Sequence, residues 1–288
     1  IKQASCSLPV ATRNSLPIVV DVFDLLSRNR TVSARLADVV GHWVTRECAQ
    51  RRFPSRVSLD LLVAYAGVDR RHEVLLNFLA ENLCSEFALE GFGEIEVCSL
   101  AAAFARLEYM HEACLICILR FVNNRVFGLS WRTYAVILHA FATLRYRPAE
   151  ENPLRWGGRL SWLQARDYST ILWACGSLQW KVDERIRRRC LKDLSSDNRN
   201  ISPIDVYSIL TSYAYDINMV DLATVIDIAV GKRYTPSAML SRQLAASILA
   251  NTGVIMMLKL DALRVVCSVL TTYECDKKES ISSGAACK

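Results

Sequence analysis

A six-residue cassette that returns about every 38 residues constrains this chain more than any other feature. It reads Leu61-Leu-Val-Ala-Tyr-Ala66, Leu100-Ala-Ala-Ala-Phe-Ala105, Ile137-Leu-His-Ala-Phe-Ala142, Ile171-Leu-Trp-Ala-Cys-Gly176 and Ile209-Leu-Thr-Ser-Tyr-Ala214, with weaker copies from Ile18 and Leu244. A fixed period in this range marks an array of units, each burying its apolar face against its neighbours. The expected fold is all-α, a right-handed α-solenoid of about seven helix-turn-helix repeats. Such a fold offers a long, shallow surface rather than one cleft.

Apolar residues recur three and four apart, the signal of amphipathic helices. In each unit a helix A carries the cassette and a helix B follows a short turn. The pattern predicts helix A over 58–68, 95–107, 168–178 and 203–215. It predicts helix B over 72–87, 111–122, 182–194 and 220–230. Ser58, Ser130, Ser202 and Thr235-Pro236 stand where helix A would be capped. Glu73, Glu112, Asp183 and Asp221 open helix B, where a carboxylate favours the helix dipole. Residues 1–14 read as an N-terminal extension, 15–274 as the solenoid and 275–288 as a polar tail. Pro148, Pro153, Gly157 and Gly158 interrupt the array around 147–166.

Positions four and six of the cassette are small and position five is aromatic or Cys, a packing pattern in which backbones approach and a ring fills the gap. The opposite face of helix A carries the residue before the cassette, its third residue and its seventh. Down the units these are Asp60/Val63/Gly67, Ser99/Ala102/Arg106, Val136/His139/Thr143, Thr170/Trp173/Ser177, Ser208/Thr211/Tyr215 and Gln243/Ala246/Ala250. A variable column of small, polar and occasional aromatic residues suits recognition of one base at a time along a strand.

With these cassettes on the page, above all Ile171-Leu-Trp-Ala-Cys-Gly-Ser-Leu178, the chain resembles the heptatricopeptide and octotricopeptide helical repeats of organellar RNA-binding proteins. The same repeat style occurs in FAST-kinase-like and RAP-domain proteins. The resemblance covers about residues 16–274. It implies an α-solenoid that binds RNA in the mitochondrial matrix and is similar to apicomplexan mitochondrial ribosome subunits. No C-terminal RAP-type α/β domain is recognisable, which favours binding over catalysis.

Charge agrees with such a partner. The net charge is +6 and the sequence pI about 8.8. Lys181, Arg185, Arg187, Arg188, Arg189 and Lys192 concentrate in one helix B, with Arg51, Arg52 and Arg56 forming a second cluster. Arg155, Arg159 and Arg166 form a third around Trp156 and Trp162. Guanidinium groups pair with phosphates and fix register without reading sequence. The candidate RNA-binding residues are therefore Arg106, His139, Trp173, Tyr215, Lys181, Arg185, Arg187, Arg188, Arg189, Lys192, Arg155 and Arg159. Of these, Trp173, His139 and Tyr215 are the stacking candidates, and Arg187, Arg188 and Arg189 the phosphate candidates.

Other chemistry is sparse. His111-Glu-Ala-Cys114-Leu-Ile-Cys117 is metal-like, but no second CxxC exists and the flanking Leu and Ile read as an apolar helix. No metal or cofactor is expected. His72-Glu73 and His111-Glu112 occupy equivalent repeat positions and read as structural. Without a phosphate-binding glycine loop, a dinucleotide fingerprint or a nucleophile elbow, the chain is not expected to be an enzyme. Of the eleven cysteines, Cys98, Cys114, Cys117, Cys175, Cys190 and Cys267 sit inside apolar helical patterns, which suits a reducing compartment. The longest uncharged run, residues 243–258, is short of a membrane span. A chain opening on Ile1 fits a removed import presequence or an incomplete sequence. The competing reading is a protein-interaction scaffold, such as an accessory subunit of a respiratory complex, whose groove holds a peptide or helix. The two readings are compatible inside a ribonucleoprotein.

Overall fold

A computed structural model describes residues 15–29, 31–48, 54–84, 89, 91–125, 128–148, 156, 162–196 and scattered positions between 201 and 267. It is all-α, with no strand among the described residues. The helices are α1 (Ser15–Arg28), α2 (Ala34–Cys48), α3 (Ser55–Gly67), α4 (Glu73–Leu83), α5 (Glu94–Arg106), α6 (Glu112–Asn124), α7 (Trp131–Thr143), α8 (Ala165–Leu178) and α9 (Glu184–Ser195).

The chain divides into two compact units, the first holding α1 to α6 and the second α7 onward. In the first unit α1, α3 and α5 lie side by side, and α2, α4 and α6 form a second layer behind them. In the second unit α7 packs along α8, and α8 against α9.

In each unit the cassettes supply the A helices and much of the core. Leu61, Leu62, Ala64 and Tyr65 are buried, as are Leu100, Phe104, Ile137, Phe141, Ile171 and Cys175. Positions four and six pack as expected: Ala64, Ala66, Ala103, Ala105, Ala140, Ala142 and Ala174 are all buried. Tyr65 donates to the Ala37 carbonyl at 2.5 Å and so ties α3 to α2. Gly41 makes room for this contact, since a Cβ there would lie 2.7 Å from His72 Cδ2 and 2.9 Å from the Tyr65 hydroxyl.

The helices of the four full cassettes described, α3, α5, α7 and α8, share one ending. Asp69, Glu108, Arg145 and Gln179 adopt left-handed backbone, with φ between 47° and 59°. Each stands eight residues after the first cassette residue. The amides of Asp69 and Arg70 bond the carbonyls of Ala66 and Tyr65, and those of Glu108 and Tyr109 bond Ala105 and Phe104. Gln179 and Trp180 repeat the pattern with Gly176 and Cys175. This is the Schellman C-cap, in which a hydrophobic contact accompanies the two bonds. Here Tyr109 lies 6.0 Å from Phe104, ring to ring. The cassette is thus both a packing face and a stop signal, its fifth and sixth carbonyls receiving the capping bonds.

Two boundaries correct the sequence reading. Ser58 does not cap α3: the helix starts at Ser55 behind Pro54, whose φ of −58° enters it without a side-chain cap. Ser58 is buried instead and accepts a 2.7 Å hydrogen bond from Asn82 of α4, which explains a hydroxyl inside an apolar helix. Helix α4 stops at Leu83, short of the expected residue 87. Ser130 does cap its helix, accepting from the Thr133 amide. Ser202 accepts from the Asp205 amide, with its own amide bonded to the Asp205 carboxylate. The carboxylates of Glu73, Glu112 and Asp183 stand at B-helix starts, and Asp183 accepts the Arg185 amide. Thr235, Asp221, the N-terminal extension and the C-terminal tail lie outside the described residues.

Candidate functional site

In the second unit, the outer column of helix A brings two predicted residues together. His139 of α7 and Trp173 of α8 are both the third residue of their cassettes. Their ring centroids are 5.1 Å apart and their planes tilted by 33°. His139 is exposed, yet partial desolvation by its neighbours holds the imidazole below the usual histidine range and favours the neutral ring. A neutral imidazole beside a half-exposed indole offers two mutually tilted aromatic faces against which an unpaired base can stack. Tyr134, buried in the same unit, stacks on Trp156 at 5.7 Å, and Trp162 is 70% exposed.

Helix α9 sorts the basic run by its periodicity. Ile186, Cys190 and Leu194 are buried and define the inner face. Arg187 turns toward that side, with only 12% of its side chain accessible, 3.9 Å from Glu184. Arg185, Arg188 and Lys192 are all exposed, and their spacing of three and four aligns them in one stripe on α9, with Lys181 exposed just before the helix. Arg185 is paired with Asp183, which its guanidinium holds below the usual carboxylate range, and Arg188 is paired with Glu184. Arg189 reaches Asp193 at 2.8 Å. The Arg188–Glu184 pair is exposed on both sides and contributes about 0–1 kcal/mol, so a phosphate can displace it at small cost, whereas Asp183 and Asp193 are largely buried under their arginines.

In the first unit, the outer faces of α1, α3 and α5 enclose a recess of about 290 Å³. Ser27, Gly67 and Ala102 keep it open, while Asp24, Arg28 and Arg106 give it polar walls. Arg106 donates to the Gly67 carbonyl at 3.3 Å and so binds the end of α3. Arg28 pairs with Asp24 at 2.6 Å. Nearby, burial raises the Asp60 carboxyl, with Asp24 and Asp21 adding to the shift against Arg56 and Arg28. Arg56 is bound to Glu96 at 2.6 Å, and the same carboxylate accepts the Gly93 amide at 3.0 Å at the start of α5. The charge of this recess is mixed, in contrast to the stripe on α9. Tyr215, Arg155, Arg159, Arg51 and Arg52 lie outside the described residues.

A third constellation adds Cys84, which sequence reading missed, to two members of the metal-like His111–Cys114–Cys117 pattern. The ligand atoms of Cys84, His111 and Cys114 all lie within 4.8 Å of one another. Cys84 is the C-cap of α4, and His111 the N-cap of α6. The Cys84 thiol is held below its usual value by hydrogen bonding with the Cys114 and Cys117 thiols, and Cys114 is pushed up in return. Cys84 is a lone cysteine thirty residues before Cys114, with no spacing to flag it. Only packing of α4 against α6 could reveal the grouping. Neither a protein-family model nor a curated protein sequence matches the chain.

Proposed function

We propose that this chain is a non-catalytic RNA-binding protein, an α-solenoid of the mitochondrial matrix that binds rRNA as a component of the mitochondrial ribosome. The observation that carries this reading is the His139–Trp173 pair, formed by equivalent positions of successive cassettes on the face away from the core. Successive A helices then present one recognition position each, as base-by-base reading requires. The stripe of Arg185, Arg188 and Lys192 on α9, with Lys181 just before the helix, supplies sequence-independent phosphate contact. Stacking and charge neutralisation are the whole mechanism, and no bond is made or broken.

The test is crosslinking and sequencing of RNA bound to the protein in its native organelle, beside a variant with Arg188→Glu and Lys192→Glu. Reads concentrated on rRNA and lost in the variant support the proposal. Background RNA, with the protein co-purifying in a respiratory complex, overturns it.

One feature favours a protein neighbour as well. On α1, Ile18, Val22 and Leu25 are 61%, 51% and 60% exposed and share one helix face. An apolar stripe of this kind is what a neighbouring subunit would cover. A scaffold role predicts binding that survives high salt, whereas phosphate-based affinity falls steeply.

A further inference from the structure

We propose that Cys84, His111, Cys114 and Cys117 form a binding site for a thiophilic tetrahedral cation, zinc in the first instance. The argument begins with two histidines at equivalent repeat positions. His72 caps its own helix, its Nδ1 accepting the Leu75 amide at 3.2 Å. His111 makes no such side-chain cap on α6. Its Nδ1 stands 3.6 Å from Cys84 Sγ instead. The preceding repeat has Leu75 and Phe78 where this one has Cys114 and Cys117, so the thiols and the reoriented imidazole occur together in one repeat only.

The distances suit a metal. With Zn–S near 2.3 Å and Zn–N near 2.0–2.1 Å at a tetrahedral angle, the S···N separation is about 3.5 Å. The Cys84–His111 separation of 3.6 Å meets that requirement without rearrangement. Cys114 Sγ falls within the same 4.8 Å group. Cys117, one turn further along α6, stands outside that group with its Sγ 3.9 Å from the Cys84 carbonyl, and would complete the set by turning its thiol toward the ion. Three sulfurs and one imidazole make the Cys₃His set of structural zinc sites, and no carboxylate is among them to favour magnesium or calcium. Cys114 is buried, while Cys84, His111 and Cys117 are half-exposed, which leaves the ion a way in.

Binding balances as an exchange of protons for metal. Cys84, Cys114 and Cys117 each release a thiol proton to solvent and ligate as thiolates, and His111 ligates as the neutral ring through Nδ1. Nothing is oxidised or reduced. The ion would fasten the end of α4 to the start of α6, two helices of one layer belonging to successive repeats.

The experiment uses the untagged full chain. Zinc content is measured by mass spectrometry after dialysis, and Co²⁺ is titrated into metal-free protein. Expected are one zinc per chain, intense visible d–d bands of tetrahedral Co²⁺ and thiolate charge-transfer absorption. Cys84→Ser should weaken metal affinity at least tenfold, and Cys98→Ser, a thiol outside the cluster, should leave it unchanged. Because a ligand variant can fail to fold, iodoacetamide labelling of the unaltered chain gives an independent readout. Zinc should slow labelling of Cys84, Cys114 and Cys117 but not of Cys98. Absence of the cobalt spectrum, equal labelling with and without zinc, or a Cys84–Cys114 disulfide that forms despite added zinc would each overturn the proposal.

Discussion

His139 and Trp173 hold their rings 5.1 Å apart across two neighbouring helices, each contributed by the third residue of its cassette. If this pair receives a base, removing the indole costs about 1–3 kcal/mol of binding, or roughly 5–150-fold in affinity. Trp173→Ala should weaken binding of single-stranded RNA by that range, measured by fluorescence anisotropy, while Trp173→Phe keeps most of it. Equal loss in both variants would mean that the pair serves packing alone.

The residues of α9 should separate by face. Arg188→Gln with Lys192→Gln removes two exposed charges, so the slope of log affinity against log salt should fall by about 1.4 for a single-stranded ligand. Thermal stability should barely change, because the pairs lost are exposed. Arg187→Gln should do the reverse, lowering the melting temperature and leaving the salt slope alone, since its side chain is turned inward.

Glu108 sits at φ 47°, where a β-carbon costs about 1–2 kcal/mol. Glu108→Gly relieves that cost and gives back part of it as unfolded-chain entropy, for a net gain of about 0.5–1 kcal/mol. A denaturant midpoint shifted upward with an unchanged slope is the expected result. The same substitution at Gln179 should act alike in the second unit.

Gly41→Ala should destabilise, although alanine is the better helix former by about 1 kcal/mol. The added methyl would meet the His72 ring at 2.7 Å and the Tyr65 hydroxyl at 2.9 Å. Neither can retreat, since Tyr65 is bonded to Ala37 and His72 to Leu75. Overpacking of about 1–3 kcal/mol should win, seen as a lower melting temperature.

His72 gives the first unit an acid sensitivity. Burial, then the neighbouring His42, holds its imidazole below the ordinary histidine value. Above about pH 6.5 both folded and unfolded chains carry the neutral ring. Below it the unfolded chain takes up the proton first, so stability falls with pH until the folded ring is protonated too. Protonation also removes the lone pair that accepts the Leu75 amide. His72→Asn keeps a capping oxygen and removes the titration, so unfolding followed between pH 7 and 5 should show a flatter profile.

The cassettes made the helices legible because burial demands small and aromatic residues at fixed phase, and Leu61 to Ala66 or Ile137 to Ala142 show that phase directly. Ser58 misled because a hydroxyl before an apolar run resembles a cap until a partner such as Asn82 is placed opposite it. The left-handed residues were invisible because Asp69, Glu108, Arg145 and Gln179 are not glycine, and their geometry is imposed by the carbonyls they satisfy. In α9, six basic residues read as one cluster, whereas helix geometry sends Arg187 inward and leaves a stripe outward. The Cys84–His111–Cys114 grouping depends on which helices pack, and a single sequence does not carry that information.

The fixed distance from cassette to left-handed turn separates two quantities in this chain, phase and wavelength. The phase of α3, α5, α7 and α8 at their exits is locked by hydrogen bonds, whereas the interval from one cassette to the next is not constant. Insertions and deletions are therefore cheapest after a B helix and most damaging between a cassette and its turn. A single added residue in that short stretch would rotate the exit by about 100°, aiming everything downstream at the wrong neighbour.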